Sequence, residues 1–108
     1  MRLRRRGPFD ELVERQLTLF AADDAELLQE ADEAEAAWDT AGRDTAEEAY
    51  GDYQLVVDAI ADGLLEVRDA YAATLADDKT DAYLRAFAVG VRRRFGRYAS
   101  LVSDVESA

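Results

Sequence analysis

The sequence predicts an all-α protein, an up-down-up three-helix bundle of long antiparallel helices over about residues 8–40, 45–76 and 79–103. Three observations support this fold class. Apolar residues recur at helical spacing along most of the chain. The pattern breaks twice, once near Gly42 and once after Ala76. Reflecting the sequence about Gly42 lays one apolar stripe onto another, as two antiparallel helices with a shared core require.

The first predicted helix begins near Pro8, because proline is favoured in a first helical turn. Its apolar stripe is Phe9, Leu12, Val13, Leu17, Phe20, Leu27, Ala31, Ala34 and Trp38. At about 100° per residue this stripe stays in phase, which predicts one continuous helix. The pair Asp23-x-x-Glu26 looks like a capping box. It leaves open a kink or a second helix start at Asp23–Asp24.

The second predicted helix follows a stop at Gly42 and a capping box formed by Asp44 and Glu47. Its apolar residues alternate at spacings of three and four: Ala46, Tyr50, Tyr53, Val57, Ile60, Leu64, Val67, Tyr71 and Leu75. This is a coiled-coil seam of about four heptads. A second seam of small residues is predicted to receive the aromatic side chains of the third helix, with Phe95 against Gly63.

The second break is marked by phase, because no glycine or proline lies there. Tyr71 and Leu84 are 13 residues apart, which places them about 220° out of register on a straight helix. A third helix is therefore predicted to begin near Asp78 or Thr80. Its stripe is Leu84, Phe87, Val91, Phe95, Tyr98 and Val102.

The length of 108 residues fits a single helical domain over 1–108. We expect residues 1–7 to form a basic flexible arm and residues 104–108 a frayed tail. Such a slim unit leaves apolar side chains on its outer faces, which predicts a homodimer. The sequence contains no run of about 18 apolar residues, so we expect no membrane span. The basic start lacks a following apolar segment, so we expect no secretory signal and a cytoplasmic protein.

The charge is strongly negative: 24 acidic residues against 13 basic ones give a net charge of −11. An acidic body repels nucleic acid and anionic membranes at long range, so nucleic acid is not the expected partner. The chain contains no histidine and no cysteine. Disulfides, imidazole zinc sites and histidine-dependent nucleophiles are thereby excluded. We expect no cofactor. The bias toward arginine, alanine and aspartate is typical of GC-rich bacteria and of haloarchaea alike.

An arginine cluster near the C-terminus is the most obvious candidate site. Arg92, Arg93 and Arg97 are candidate contacts for an anion or a partner protein. On one continuous helix these side chains point in different directions, which favours internal pairing or a solvated collar.

Asp24 is the one defect in the reflected pattern, because it faces Ile60. A carboxylate at an apolar seam is costly unless it is paired. We predict a buried ion pair between Asp24 and Arg94, or with Arg97, which lies at the same level.

Two acidic pairs raise an enzymatic alternative. Asp44-x-x-Glu47, eighteen residues and then Glu66-x-x-Asp69 is similar to the motif of the all-α MazG-type nucleotide pyrophosphohydrolases. The resemblance implies Mg²⁺ held by Glu47, Glu66 and Asp69. Gly51 stands where that family has a further glutamate. An unbroken second helix separates the two pairs by about 28 Å, so they meet only across a dimer.

The sequence therefore predicts an interaction protein rather than an enzyme. We expect a scaffold or small regulatory subunit that associates with itself or with another protein through helix–helix contacts. The alternatives are a Mg²⁺-dependent MazG-like hydrolase and a nucleic-acid accessory protein that uses its arginine clusters.

Overall fold

The computed structural model describes residues 7–102, and these are almost entirely helical. The elements are α1 (Asp10–Asp23), α2 (Ala25–Asp39), α3 (Ala46–Ala72), α4 (Asp77–Arg94) and a 3-10 turn (Gly96–Tyr98). Residues 99–102 are again helical. No β-strand occurs within 7–102. The predicted frayed tail and all but Gly7 of the predicted basic arm lie outside the described residues.

The first predicted helix is two helices, so the prediction of one continuous helix over 8–40 is wrong at Asp24. Asp24 has φ −111° and ψ 30°, outside the helical region. Hydrogen bonds still cross the break, because the Asp24 N–H donates to Phe20 O at 2.9 Å and the Leu28 N–H donates to Asp24 O at 3.0 Å. The Asp24 side chain forms no capping hydrogen bond. A break of one residue leaves the apolar stripe in phase, which is why periodicity did not reveal it.

The kink gives α1 and α2 different partners. α2 lies along α3, while α1 packs chiefly on α4. The reflection about Gly42 places Trp38 opposite Ala46 and Ala34 opposite Tyr50. The structure differs, since the Trp38 ring lies 4.7 Å from the Tyr50 ring and 5.4 Å from the Tyr53 ring, between centroids. The described chain measures 51 × 36 × 24 Å, and no helix within it is long and apolar enough to cross a bilayer.

Gly63 receives Phe20 instead of the predicted Phe95. A Cβ atom on Gly63 would lie 2.9 Å from Phe20 Cε1. Phe95 packs against the edge of Phe20, with ring centroids 5.8 Å apart. Phe20 of α1 therefore occupies the place that was predicted for Phe95, and Phe95 lies beside it.

The third predicted helix, over 79–103, is wrong beyond Arg94. Phe95 leaves the helical region with φ −129° and ψ 50°, and Gly96, a poor helix former, begins the 3-10 turn. Phe95 and Tyr98 are both buried. The break therefore lets two aromatic side chains close one end of the core.

The other end of the core is an aromatic cluster around Tyr83, which is fully buried. Its ring centroid lies 5.6 Å from that of Phe9, 4.8 Å from Tyr71 and 5.9 Å from Phe87. The Tyr83 hydroxyl donates to Gln16 Oε1 at 2.9 Å. These contacts join α1, α3 and α4. The predicted apolar stripe of the third helix contained Leu84 and did not contain Tyr83.

Candidate functional site

A groove lies between α1 and α4 on the surface of the described chain. The two helices run side by side in the same direction, since Phe9 contacts Tyr83 near their starts and Thr18 contacts Arg94 near the end of α4. They approach closely at Gly90, where an added Cβ would lie 2.7 Å from Val13 Cγ1. Because Gly90 has no side chain, the approach leaves an open groove of about 440 Å³ beside it.

The floor of this groove is apolar. It is lined by Val13, Leu17, Ala86, Val89 and Gly90. Val13 and Leu17 also belong to the hydrophobic core, so the packing of the core fixes the position of α1 along the groove. The floor is thus a fixed surface, and its shape depends on the α1–α4 contact.

The two ends of the groove carry opposite charges. Asp10 and Glu14 line the α1 side near its start, whereas Arg93 and Arg94 line the end of α4. Arg94 Nη1 donates to Thr18 Oγ1 at 2.7 Å. Asp10 and Thr18 are eight residues apart, which corresponds to about 12 Å along the helix axis. The groove therefore has an acidic end and a basic end.

The predicted contact residues Arg92, Arg93 and Arg97 do not act together. Arg92 and Arg93 are exposed and form no hydrogen bond or ion pair within residues 7–102. Arg97 lies in the 3-10 turn, and its Nη2 pairs with Asp32 Oδ1 and Glu35 Oε1, each at 3.1 Å. Arg97 therefore ties the 3-10 turn to α2, and of these three arginines only Arg93 lines the groove.

The predicted ion pair between Asp24 and Arg94 is not formed in the described part of the chain. Arg94 is directed toward Thr18 and lies over the Phe95 ring, 5.8 Å from its centroid. Asp24 is only partly buried. Arg94, the last residue of α4, contacts α1 at Thr18, six residues before Asp24, so the level that straight helices predict for the Asp24–Arg94 pair is wrong.

The acidic residues of the hydrolase alternative lie on one unbroken helix. Glu47, Glu66 and Asp69 all belong to α3, and 19 residues separate the first two, about 28 Å by helical rise. Within residues 7–102 no group of three acidic side chains is placed to hold a metal ion. Asp69 instead binds Arg68.

Arg68 is a buried residue that the sequence reasoning missed. It is 7% exposed, the one charged residue among the buried side chains of 7–102. Its Nε and Nη2 contact Asp69 Oδ1 at 2.9 and 2.8 Å. Its Nη1 is buried and has no hydrogen-bond partner in the described chain. Its spacing could have indicated burial, because Arg68 lies four residues after Leu64 and three before Tyr71, both on the apolar seam of α3.

We expect Arg68→Met to leave the free energy of unfolding unchanged or to raise it by about 1–3 kcal/mol, because the methionine removes a buried cation with an unsatisfied N–H. The measurement is urea unfolding followed by circular dichroism. Arg85→Met on the exposed face of α4 is the matched control and should change stability by less than about 0.5 kcal/mol. A loss above about 1 kcal/mol in Arg68→Met alone would show that the Arg68–Asp69 pair outweighs this cost.

The α1–α4 groove is therefore the surface that brings predicted site residues together with an apolar floor. It unites Arg93 and Arg94 from the arginine cluster and leaves out Arg97, Asp24 and the acidic pairs of α3. No protein-family model, no curated protein and no solved structure matches this chain.

Proposed function

We propose that this chain is a protein–protein interaction module, a scaffold or small regulatory subunit that binds a helical polypeptide segment in the α1–α4 groove. The observation that carries the proposal is the groove itself, with an apolar floor between an acidic and a basic end. Apolar contacts supply affinity in such a mode, and charges at the ends set the orientation of the bound helix.

The dimensions of the groove suit a helix. About 12 Å separate the levels of Asp10 and Thr18, which is slightly more than two helical turns. A bound helix presents apolar side chains at positions i, i+3 or i+4 and i+7 over this length. Val89 and Ala86 lie one turn apart on α4 and offer the matching contacts.

Neither alternative has a comparable supporting observation. The hydrolase requires acidic side chains to converge, whereas Glu47 and Glu66 are held apart by α3. A nucleic-acid site requires a basic face, whereas Arg97 is bound to Asp32 and Glu35. Asp10 and Glu14 also line the groove and would repel a phosphate backbone.

Photocrosslinking in the native host tests the proposed function. A benzophenone amino acid at Val89, in the groove, is expected to form a polypeptide adduct of defined mass. The same group at Leu55 is the matched control, because Leu55 is 70% exposed and does not line the groove. Adding Ala86→Glu to the Val89 variant places a charge on the apolar floor and should reduce the adduct.

An adduct that depends on Val89 and falls with Ala86→Glu supports binding in the groove. No adduct from Val89, or the same adducts from Val89 and Leu55, contradicts it. Circular dichroism of each variant establishes that the helices are formed.

A further inference from the structure

We infer that the occupant of the α1–α4 groove is a second copy of this chain, related to the first by a two-fold axis across the groove. The inference rests on the proposed function and names its partner. The acidic end of each groove then lies level with the basic end of the other, and the α1 and α4 helices of each copy cover the groove of the other.

The charge polarity of the groove carries this inference. In a two-fold dimer the same patch on both copies forms the interface, so a contact between residue i and residue j occurs twice. A patch of one charge sign would repel its own copy. This groove instead has Asp10 at one end and Arg93 at the other. A two-fold axis that lies in the interface and runs across the groove reverses the direction of the groove in the second copy. Asp10 of each copy then lies level with Arg93 of the other.

Arg93 is available for such a contact. It is exposed and forms no hydrogen bond or ion pair within residues 7–102, although acidic residues outnumber basic ones almost two to one. Arg94 is already bound to Thr18 and Arg97 to α2. Arg93 therefore lies unpaired beside the apolar floor of the groove. A partner that places a carboxylate next to Arg93 complements its charge.

The net charge of −11 does not prevent association of two copies. Repulsion between distant surface charges is screened over about 8 Å at physiological ionic strength. The contacts across the groove are short, and the apolar floor excludes water between them. Local complementarity at the two ends therefore decides whether the copies associate.

Charge reversal at either end tests the arrangement on the full chain. In sedimentation equilibrium the unchanged protein is expected to have twice the mass of the 12.0 kDa chain. Asp10→Arg places arginine against Arg93 at both ends, and Arg93→Asp places aspartate against Asp10. Each variant alone should weaken the dimer by about tenfold or more, because like charges face one another twice. Leu55→Asp, on a surface outside the groove, should leave the dimer unchanged.

Mixing the two variants separates this arrangement from a folding defect. In a mixed dimer the arginine introduced by Asp10→Arg in one copy faces the aspartate introduced by Arg93→Asp in the other. The remaining ends carry the original Asp10–Arg93 pair. The mixture should therefore dimerise with an affinity close to that of the unchanged chain, and so should the double variant. A misfolded variant would not recover on mixing.

Three outcomes overturn the inference: a monomeric unchanged chain at millimolar concentration, single variants that dimerise as tightly as the unchanged chain, or no recovery on mixing. The proposed function fails separately. If the Val89 variant forms an adduct with a different protein and the chain is monomeric, the proposed interaction function stands. The inference that the partner is a second copy is then wrong. The absence of any Val89 adduct contradicts both.

Discussion

Tyr83→Ala is expected to lower the free energy of unfolding by about 3–5 kcal/mol, as large-to-small changes of buried aromatic residues do. Tyr83 is fully buried and contacts the rings of Phe9, Tyr71 and Phe87. Its removal leaves a cavity where α1, α3 and α4 meet. Urea unfolding followed by circular dichroism measures the loss.

Tyr83→Phe is the matched control for this cavity. It keeps the ring and removes only the hydrogen bond to Gln16, so we expect a loss of about 0.5–1.5 kcal/mol. Gln16 is partly exposed and finds water when the hydroxyl is gone. Equal losses in the two variants would assign the effect to the hydrogen bond and contradict the packing explanation.

The same residue predicts a dependence of stability on alkaline pH. Burial raises the pKa of Tyr83 from 10.0 to about 12. The folded protein thus favours the neutral phenol more than the unfolded chain does. This contribution is fully present below pH 10 and is lost as the pH rises from 10 toward 12. Between these values the unfolding free energy of the unchanged protein should fall more steeply than that of Tyr83→Phe.

The pKa values of Tyr53 and Tyr98 are also raised, chiefly by burial. Both tyrosines are present in the unchanged protein and in Tyr83→Phe, so only the difference between the two curves reports Tyr83. Parallel curves from pH 9 to pH 12 would contradict the assignment.

Gly90→Leu is expected to destabilise the protein by about 3 kcal/mol, near the upper end of ordinary overpacking losses. A Cβ atom there would lie 2.7 Å from Val13 Cγ1 and 3.0 Å from Leu17 Cδ1. Val13 is buried and β-branched, so its side chain has little freedom to move aside. The added side chain pushes α1 away from α4. Thermal and urea unfolding measure the effect.

Gly51→Leu is the control for helix propensity. Gly51 lies in α3, and no atom lies within 4 Å of a Cβ added there. Leucine is a better helix former than glycine, so this variant should gain about 0.5–1 kcal/mol. A gain at both positions would contradict the close approach of α1 to α4 at Gly90. Since the leucine also occupies the groove, Gly90→Leu should abolish the Val89 adduct.

Local pattern was sufficient where neighbours in sequence are partners in space. The stop near Gly42 and the unbroken α3 were predicted from turn chemistry and spacing. The packing of Trp38 on Tyr50 and Tyr53 was not, because the reflection placed Trp38 opposite Ala46. The kink at Asp24 was left open by the Asp23-x-x-Glu26 pair and was not decided by spacing, because hydrogen bonds on both sides continue through it and the stripe keeps its phase.

The candidate site was predicted only in its parts. The sequence singled out Arg93 and Arg94, but their place in the groove depends on Gly90, which carries no pattern of its own. The partners of Arg97 were also missed, since the break at Phe95 moves Arg97 off α4 and toward α2.

Sequence by itself determined that this chain is helical, where its main turns lie and which residues are apolar enough to form the core. These properties follow from periodicity and turn chemistry, which act over a few residues. Only the tertiary structure decided which helices pair and where the charged side chains meet. A single non-helical residue at Asp24 and another at Phe95 re-aim whole segments, and the direction of a segment depends on packing between distant residues such as Phe20 and Gly63.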